Sequence, residues 1–161
     1  MRAVFLLLLV ASTVFVWLTS APLPPVVASH FGASGVANGF MSRSVYLGFM
    51  SAVVVLVPTL VALSGQLARL LPASLVNLPN RKYWLAPERK ASTASELGRL
   101  SLIPACLILV FLCFVHWQVV QANLSQSRQM AGGPFWVGLA LFAITIGAWL
   151  VVLQRRFGRV P

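Results

Sequence analysis

Long apolar runs separated by short polar or proline-rich segments organise this chain. Four of them, at 3–19, 45–64, 102–120 and 134–153, approach or reach the about 20 helical residues that cross a bilayer, and none contains Asp, Glu, Lys or Arg. The pattern predicts an all-α polytopic membrane protein with four transmembrane helices. A small extracytoplasmic cap is expected between helices 1 and 2, and an interfacial cytoplasmic loop between helices 2 and 3. The whole chain, 1–161, reads as a single membrane domain. The second helix is expected to continue through "GQLARLL" toward Pro72, with Pro58 as a kink, and Pro104 marks the start of the third. Arg2, an apolar core and "TSA" resemble a secretory leader. Pro22 directly after the candidate cleavage point and the length of the run favour a retained helix.

Composition supports lipid as the solvent. Charged residues make up 9% of the chain and hydrophobic ones 59%, against about a quarter charged in soluble domains; the mean hydropathy is +0.90. The net charge of +10 does not point to nucleic acid, because the cations lie in short segments flanking apolar runs, as topology determinants do. With the N-terminus cytoplasmic, ten cations fall inside: Arg2, Arg69, Arg81, Lys82, Arg89, Lys90, Arg99, Arg155, Arg156 and Arg159. Only Arg43 and Arg128 fall outside. The bias places both termini in the cytoplasm. Trp17, Tyr46, Trp117 and Trp136 then lie at the outer ends of their spans, and Tyr83, Trp84 and Trp149 toward the inner side. Cys106 and Cys113, seven apart on one helix, are separated by roughly 10 Å of rise and do not pair with each other. Gly48 with Ala52, and Ala143 with Gly147, are small-residue pairs of the kind that bring membrane helices together.

The cytoplasmic loop reads "LPASLVNLPNRKYWLAPERKASTASELGRL" over 71–100. Pro79 and Pro87 divide it, and Tyr83, Trp84 and Leu85 give it an apolar face beside Arg81 and Lys82. Such a segment suits the interface of an anionic membrane, so anionic lipids are expected partners at this face. Asn77, Pro79, Asn80, Tyr83, Trp84, Pro87, Glu88 and Arg89 form its candidate motif, with Glu88 neutralised by the neighbouring cations. "TASE", from Thr93 to Glu96, has the spacing of a capping box and predicts a helix start there.

The outer loop begins with Pro22, Pro24 and Pro25, which hold the chain extended. It continues as "SHFGASGVANGFMSR". Glycines and Asn at these intervals permit tight turns and positive φ, and Phe31 and Phe40 require burial, so a compact cap is expected. His30, Phe31, Gly35, Asn38, Gly39 and Phe40 are its candidate recognition or structural residues.

Leu23-Pro24, His30-Phe31, Gly35, Gly39 and Phe40, together with 77–90, resemble a bacterial membrane-domain family of unknown function. That family is typified by the N-terminal region of the sporulation-delaying-toxin immunity protein. The resemblance covers the first three spans and extends plausibly along the chain. It implies a bacterial cytoplasmic (inner) membrane and an immunity-like interaction role as one use of the domain. Members often carry acidic residues between the two glycines, where this chain has Val36, Ala37 and Asn38, which weakens any cation-binding reading of that turn.

No paired carboxylates, phosphate-binding glycine loop or positioned nucleophile and base are present. A site made from His30 and His116 would lack Cys, Asp or Glu ligands on its side of the membrane. His30 is instead expected to hold the outer turn through a hydrogen bond, and His116 to lie in the interface beside Trp117. The chain therefore reads as non-catalytic, with no cofactor and no metal. Two function classes stay open. One is a binding, sensing or immunity-like protein that engages a protein or peptide through the His-Phe/Gly loop. The other is an oligomeric transport or lipid-handling component.

Overall fold

Residues 1–160 are described by the structure, a computed structural model. The first apolar run forms α1 (Arg2–Ser20), ending before the prolines that its helical bonding cannot tolerate. Two strands follow, β1 (Val26–Phe31) and β2 (Ala37–Ser42), paired as an antiparallel hairpin. The chain is thus mostly helical but not all-α: the expected cap is a β-hairpin. Val26 faces Ser42, Ala28 faces Phe40 and His30 faces Gly39. Ser29 on β1 and Asn38 on β2 are extra residues with no opposite number. Near the bulge at Ser29 the period-two pattern by which a strand is recognised is lost on β1, while burial on β2 still alternates.

Ser42 closes the hairpin and starts α2 (Arg43–Leu67), its hydroxyl accepting from the Val45 amide at 3.3 Å. Pro58 lies inside this helix, and a turn rather than further helix leads to Pro72. After a 3-10 turn (Ala73–Leu75) come the one-turn α3 (Arg81–Trp84), α4 (Pro87–Leu100), α5 (Leu102–Leu124) and α6 (Gly132–Phe157). Pro87 occupies the first turn of α4, where its missing N–H has no intrahelical partner to lose. Thr93 is therefore inside a helix rather than at its start. Its hydroxyl donates to the Trp84 carbonyl at 2.7 Å, and Glu96 pairs with Arg156 instead of closing a capping box.

Four helical stretches are long and apolar enough to cross a membrane: Arg2–Ser20, Arg43–Leu67, Pro87–Leu124 and Gly132–Phe157. The main core lies among α1, α2, α5 and the hairpin, where Phe5, Val16, Val54, Leu109 and Val120 meet beneath Leu23 and Val27. Helix α6 flanks this core, and Phe157 is its one buried residue. It leans on α5 through stacked Phe111 and Phe142 rings, 4.3 Å apart, and through Gly138 against Phe114.

The expected small-residue pairs do not make the close helix contacts of this chain, since a side chain added at Gly48 or Gly147 would meet open space. The tight approach is between α2 and α4, where a Cβ on Gly65 would strike the Leu97 carbonyl and one on Gly98 the Gln66 side chain. Ser101 reinforces it by donating to the Ala62 carbonyl at 3.0 Å.

A second core closes the end opposite the hairpin. Leu78, Trp84 and Leu85 pack on Phe157. The aromatic segment expected to lie in the lipid interface thus turns inward, with Trp84 buried. The last carbonyls of a helix lack intrahelical donors, and the indole of Trp84 supplies one to Phe157 at 2.8 Å.

Candidate functional site

The hairpin carries all six outer-loop candidates. His30 Nδ1 lies in short hydrogen-bond contact with Asn38 Oδ1 across the strands. An amide oxygen can only accept, so Nδ1 bears a proton and donates to Asn38. The bulge at Asn38 brings its side chain level with His30, and Gly39 leaves room for the crossing, because a Cβ there would meet His30 Cβ. At the tip, Gly35 adopts φ 79°, a conformation that favours glycine. Its carbonyl accepts from the Met130 amide at 2.9 Å, and a Cβ on it would strike the Met130 carbonyl. The Val36–Gln129 bridge continues this joint, so the loop between α5 and α6 is stitched to the hairpin tip. Phe31 is half-buried, whereas Phe40, expected to need burial, is 54% exposed.

Two side chains outside the strands fix the hairpin to the bundle. Asn123 of α5 accepts from the Ala28 amide at 2.8 Å and donates to the Ala28 carbonyl at 2.9 Å. Its carboxamide thereby replaces a third strand on the outer edge of β1. Arg43 donates to the carbonyls of Ala21 and Leu23, both at 3.2 Å, closing the turn that leads out of α1.

His116 corrects the sequence expectation most clearly. It is 0% exposed and sits inside the three-helix core, not in the interface. Tyr46 OH lies 2.8 Å from its Nδ1 and Thr19 Oγ1 lies 2.8 Å from its Nε2. Thr19 already donates its only hydroxyl hydrogen to the Phe15 carbonyl, so Nε2 must carry the proton and donate to Thr19. Nδ1 then accepts from Tyr46. The chain of bonds runs one way, from α2 through α5 to α1, with a neutral imidazole at its centre. The Tyr46 and His116 rings also stack, 5.8 Å apart. His30 and His116 have separate partners and do not form one site. Among the described residues, no three His, Cys, Asp or Glu side chains come together, and both cysteines are free.

No family model, curated protein or solved structure matches the chain.

A cleft of about 450 Å³ opens beside the hairpin. Ser29, His30 and Phe31 form one wall, Val119 of α5 the floor, and Phe135 and Trp136 of α6 the other wall. The wall of the cleft is mostly apolar, with the His30 imidazole at a strand edge. Ligand sites combine these features, an apolar recess and few polar groups.

The other candidate motif is joined by its own contacts. Asn80 has φ 49°, a left-handed conformation that Asn tolerates. It donates through Nδ2 to the Phe157 carbonyl at 3.2 Å, beside the Trp84 bond to the same oxygen at 2.8 Å. Arg89 donates to the Tyr83 carbonyl at 2.9 Å, lies over the Tyr83 ring at 3.9 Å and pairs with Glu88 at 3.0 Å. Pro87 starts α4, Pro79 is half-buried, and Asn77 is exposed on the lip of two clefts. Asn80, Tyr83, Trp84 and Arg89 thus hold α3, α4 and the end of α6 together.

Proposed function

We propose that this chain is a multi-pass protein of a bacterial cytoplasmic membrane, with both termini inside, that recognises a protein or peptide partner at its extracytoplasmic hairpin. The cleft walled by His30, Phe31, Phe135 and Trp136 carries this reading. Its recess suits an apolar or aromatic side chain, and the His30 imidazole offers a polar group to the same segment. Phe40 and Val36 on the same hairpin are exposed and add apolar surface. The sidedness is supported by the separation of charge: the hairpin end holds Arg43 and Arg128, and the remaining cations lie at the opposite end. Exposed Trp17, Trp117 and Trp136 ring the hairpin end, as residues in a headgroup layer do. Non-enzymatic recognition agrees with the family resemblance of the same loop.

The transport or lipid-handling reading draws on Ser51 Oγ, Thr59 Oγ1 and Gln118 Nε2, which are buried without hydrogen-bond partners. None of them lines the hairpin cleft, which is why recognition is preferred. The test is co-purification from native membranes in mild detergent, comparing wild type with His30→Ala and Trp136→Ala at matched expression. Loss of a shared partner from both variants supports the cleft as the recognition surface. A partner set unchanged by either substitution refutes it.

A further inference from the structure

The end of the molecule opposite the hairpin holds two clefts that meet at Asn77. The first lies between α2, α4 and α6 and is lined by Gly65, Leu71, Leu75, Leu97, Trp149 and Leu153. Its volume is about 240 Å³. The second, about 470 Å³, is lined by Asn80, Arg81, Lys82 and Tyr83. One is apolar and flanked by spanning helices; the other is basic and lies beyond their ends.

Charge is unbalanced here. Glu88 is paired with Arg89 and Glu96 with Arg156, and these are the only acidic side chains in the chain. Arg81 and Lys82 face neither. Arg81 Nη1 donates to the Ser74 carbonyl at 3.1 Å, which steadies the guanidinium at the basic cleft and leaves its other nitrogens free. Arg81 and Lys82 are both exposed, while the backbone that carries them is held by the bonds of Asn80 and Trp84 to Phe157. The pair of cations is therefore fixed at the depth where the apolar cleft ends.

From this juxtaposition we infer that the basic end binds one anionic phospholipid, its phosphate on Arg81 and Lys82 beside Asn77 and part of an acyl chain in the cleft between α2, α4 and α6. A soluble acidic peptide would use the basic cleft but leave the apolar one open. A zwitterionic lipid would fill the apolar cleft but gain little from two unpaired cations. The anionic lipid alone matches both halves. This inference is independent of what the hairpin recognises.

The test uses the delipidated full chain in neutral detergent, with bound lipid counted by native mass spectrometry. Phosphatidylglycerol should bind at one per chain and in preference to phosphatidylcholine. Arg81→Gln with Lys82→Gln should weaken phosphatidylglycerol binding about thirtyfold, from two interfacial charges. Arg155→Gln with Arg159→Gln removes the same charge from the same end outside the clefts and should leave it nearly unchanged. Leu75→Trp, which fills the apolar cleft, should weaken both lipids. Lys82→Gln alone, at a side chain without a hydrogen bond, serves if the double variant does not fold. Equal weakening by both double variants overturns the site in favour of diffuse attraction. Equal affinity for the two lipids, or displacement of phosphatidylglycerol by inorganic phosphate alone, also overturns it.

Discussion

Asn123 and His116 are polar residues in the apolar helix α5, and the two serve different joints. The carboxamide of Asn123 is the partner of both backbone groups of Ala28, 95 residues away. Asn123→Leu strands a buried donor and acceptor, at a cost of about 1–3 kcal/mol. Hydrogen exchange should then quicken along Val26–Phe31 while the spanning helices stay protected; unchanged exchange in that strand would show that Asn123 does not hold the hairpin. His116 joins Tyr46 and Thr19, 70 and 97 residues distant. Tyr46→Phe and His116→Leu should each destabilise the chain, and the double variant by less than their sum. The expected coupling is about 0.6–1.7 kcal/mol, the range for polar pairs within membranes. Unfolding in mixed micelles measures it, and strict additivity would sever the pair. Neither joint was legible in the sequence, because the partners are far apart and one is a backbone group. The His30–Asn38 contact was nearer to view: the two residues are eight apart, with a turn between them and Gly32, Gly35 and Gly39 around it.

At the scale of elements, the spanning helices were readable and the pieces between them were not. Apolar length alone marks a span, and α1, α2, α5 and α6 contain the runs at 3–19, 45–64, 102–120 and 134–153. The hairpin escaped because β1 loses its alternation near the bulge at Ser29, and on β2 the large apolar residues Phe40 and Met41 are adjacent rather than alternating. The packing around Trp84 was hidden for a related reason. An aromatic beside cations suits a lipid interface as well as a protein one, and only the arrival of Phe157 from the far end of the chain decides between them. Arg156 then lies over the Trp84 ring, 5.0 Å from its centre, while gripping Glu96 through Nε and Nη2 at 2.6 and 2.9 Å. Phe157→Ala should empty this second core at a cost of about 3–5 kcal/mol. Limited proteolysis should then cut between Pro72 and Pro87 in the variant and not in wild type. Equal resistance of the two would mean that α6 is not what holds this segment.

The whole molecule divides its labour between two ends. Three helices and the hairpin enclose the main core, and α6 lies beside them, fixed at one end by the stitch at Met130 and at the other by Phe157. A protein held this way presents the hairpin cleft as a rigid surface, because each wall of the cleft is tied to another element. In the proposed orientation, the charge asymmetry decides which face each end meets. Both the recognition reading and the lipid reading depend on that arrangement, so sidedness is the claim to test first. With Cys106 and Cys113 replaced by Ala, single cysteines would be placed at Ala33 on the hairpin tip and at Ser92 on α4, both exposed. Labelling of intact cells with a membrane-impermeant maleimide should modify Ala33→Cys at once and Ser92→Cys only after permeabilisation. The reverse pattern, or equal labelling of both before permeabilisation, would contradict the account.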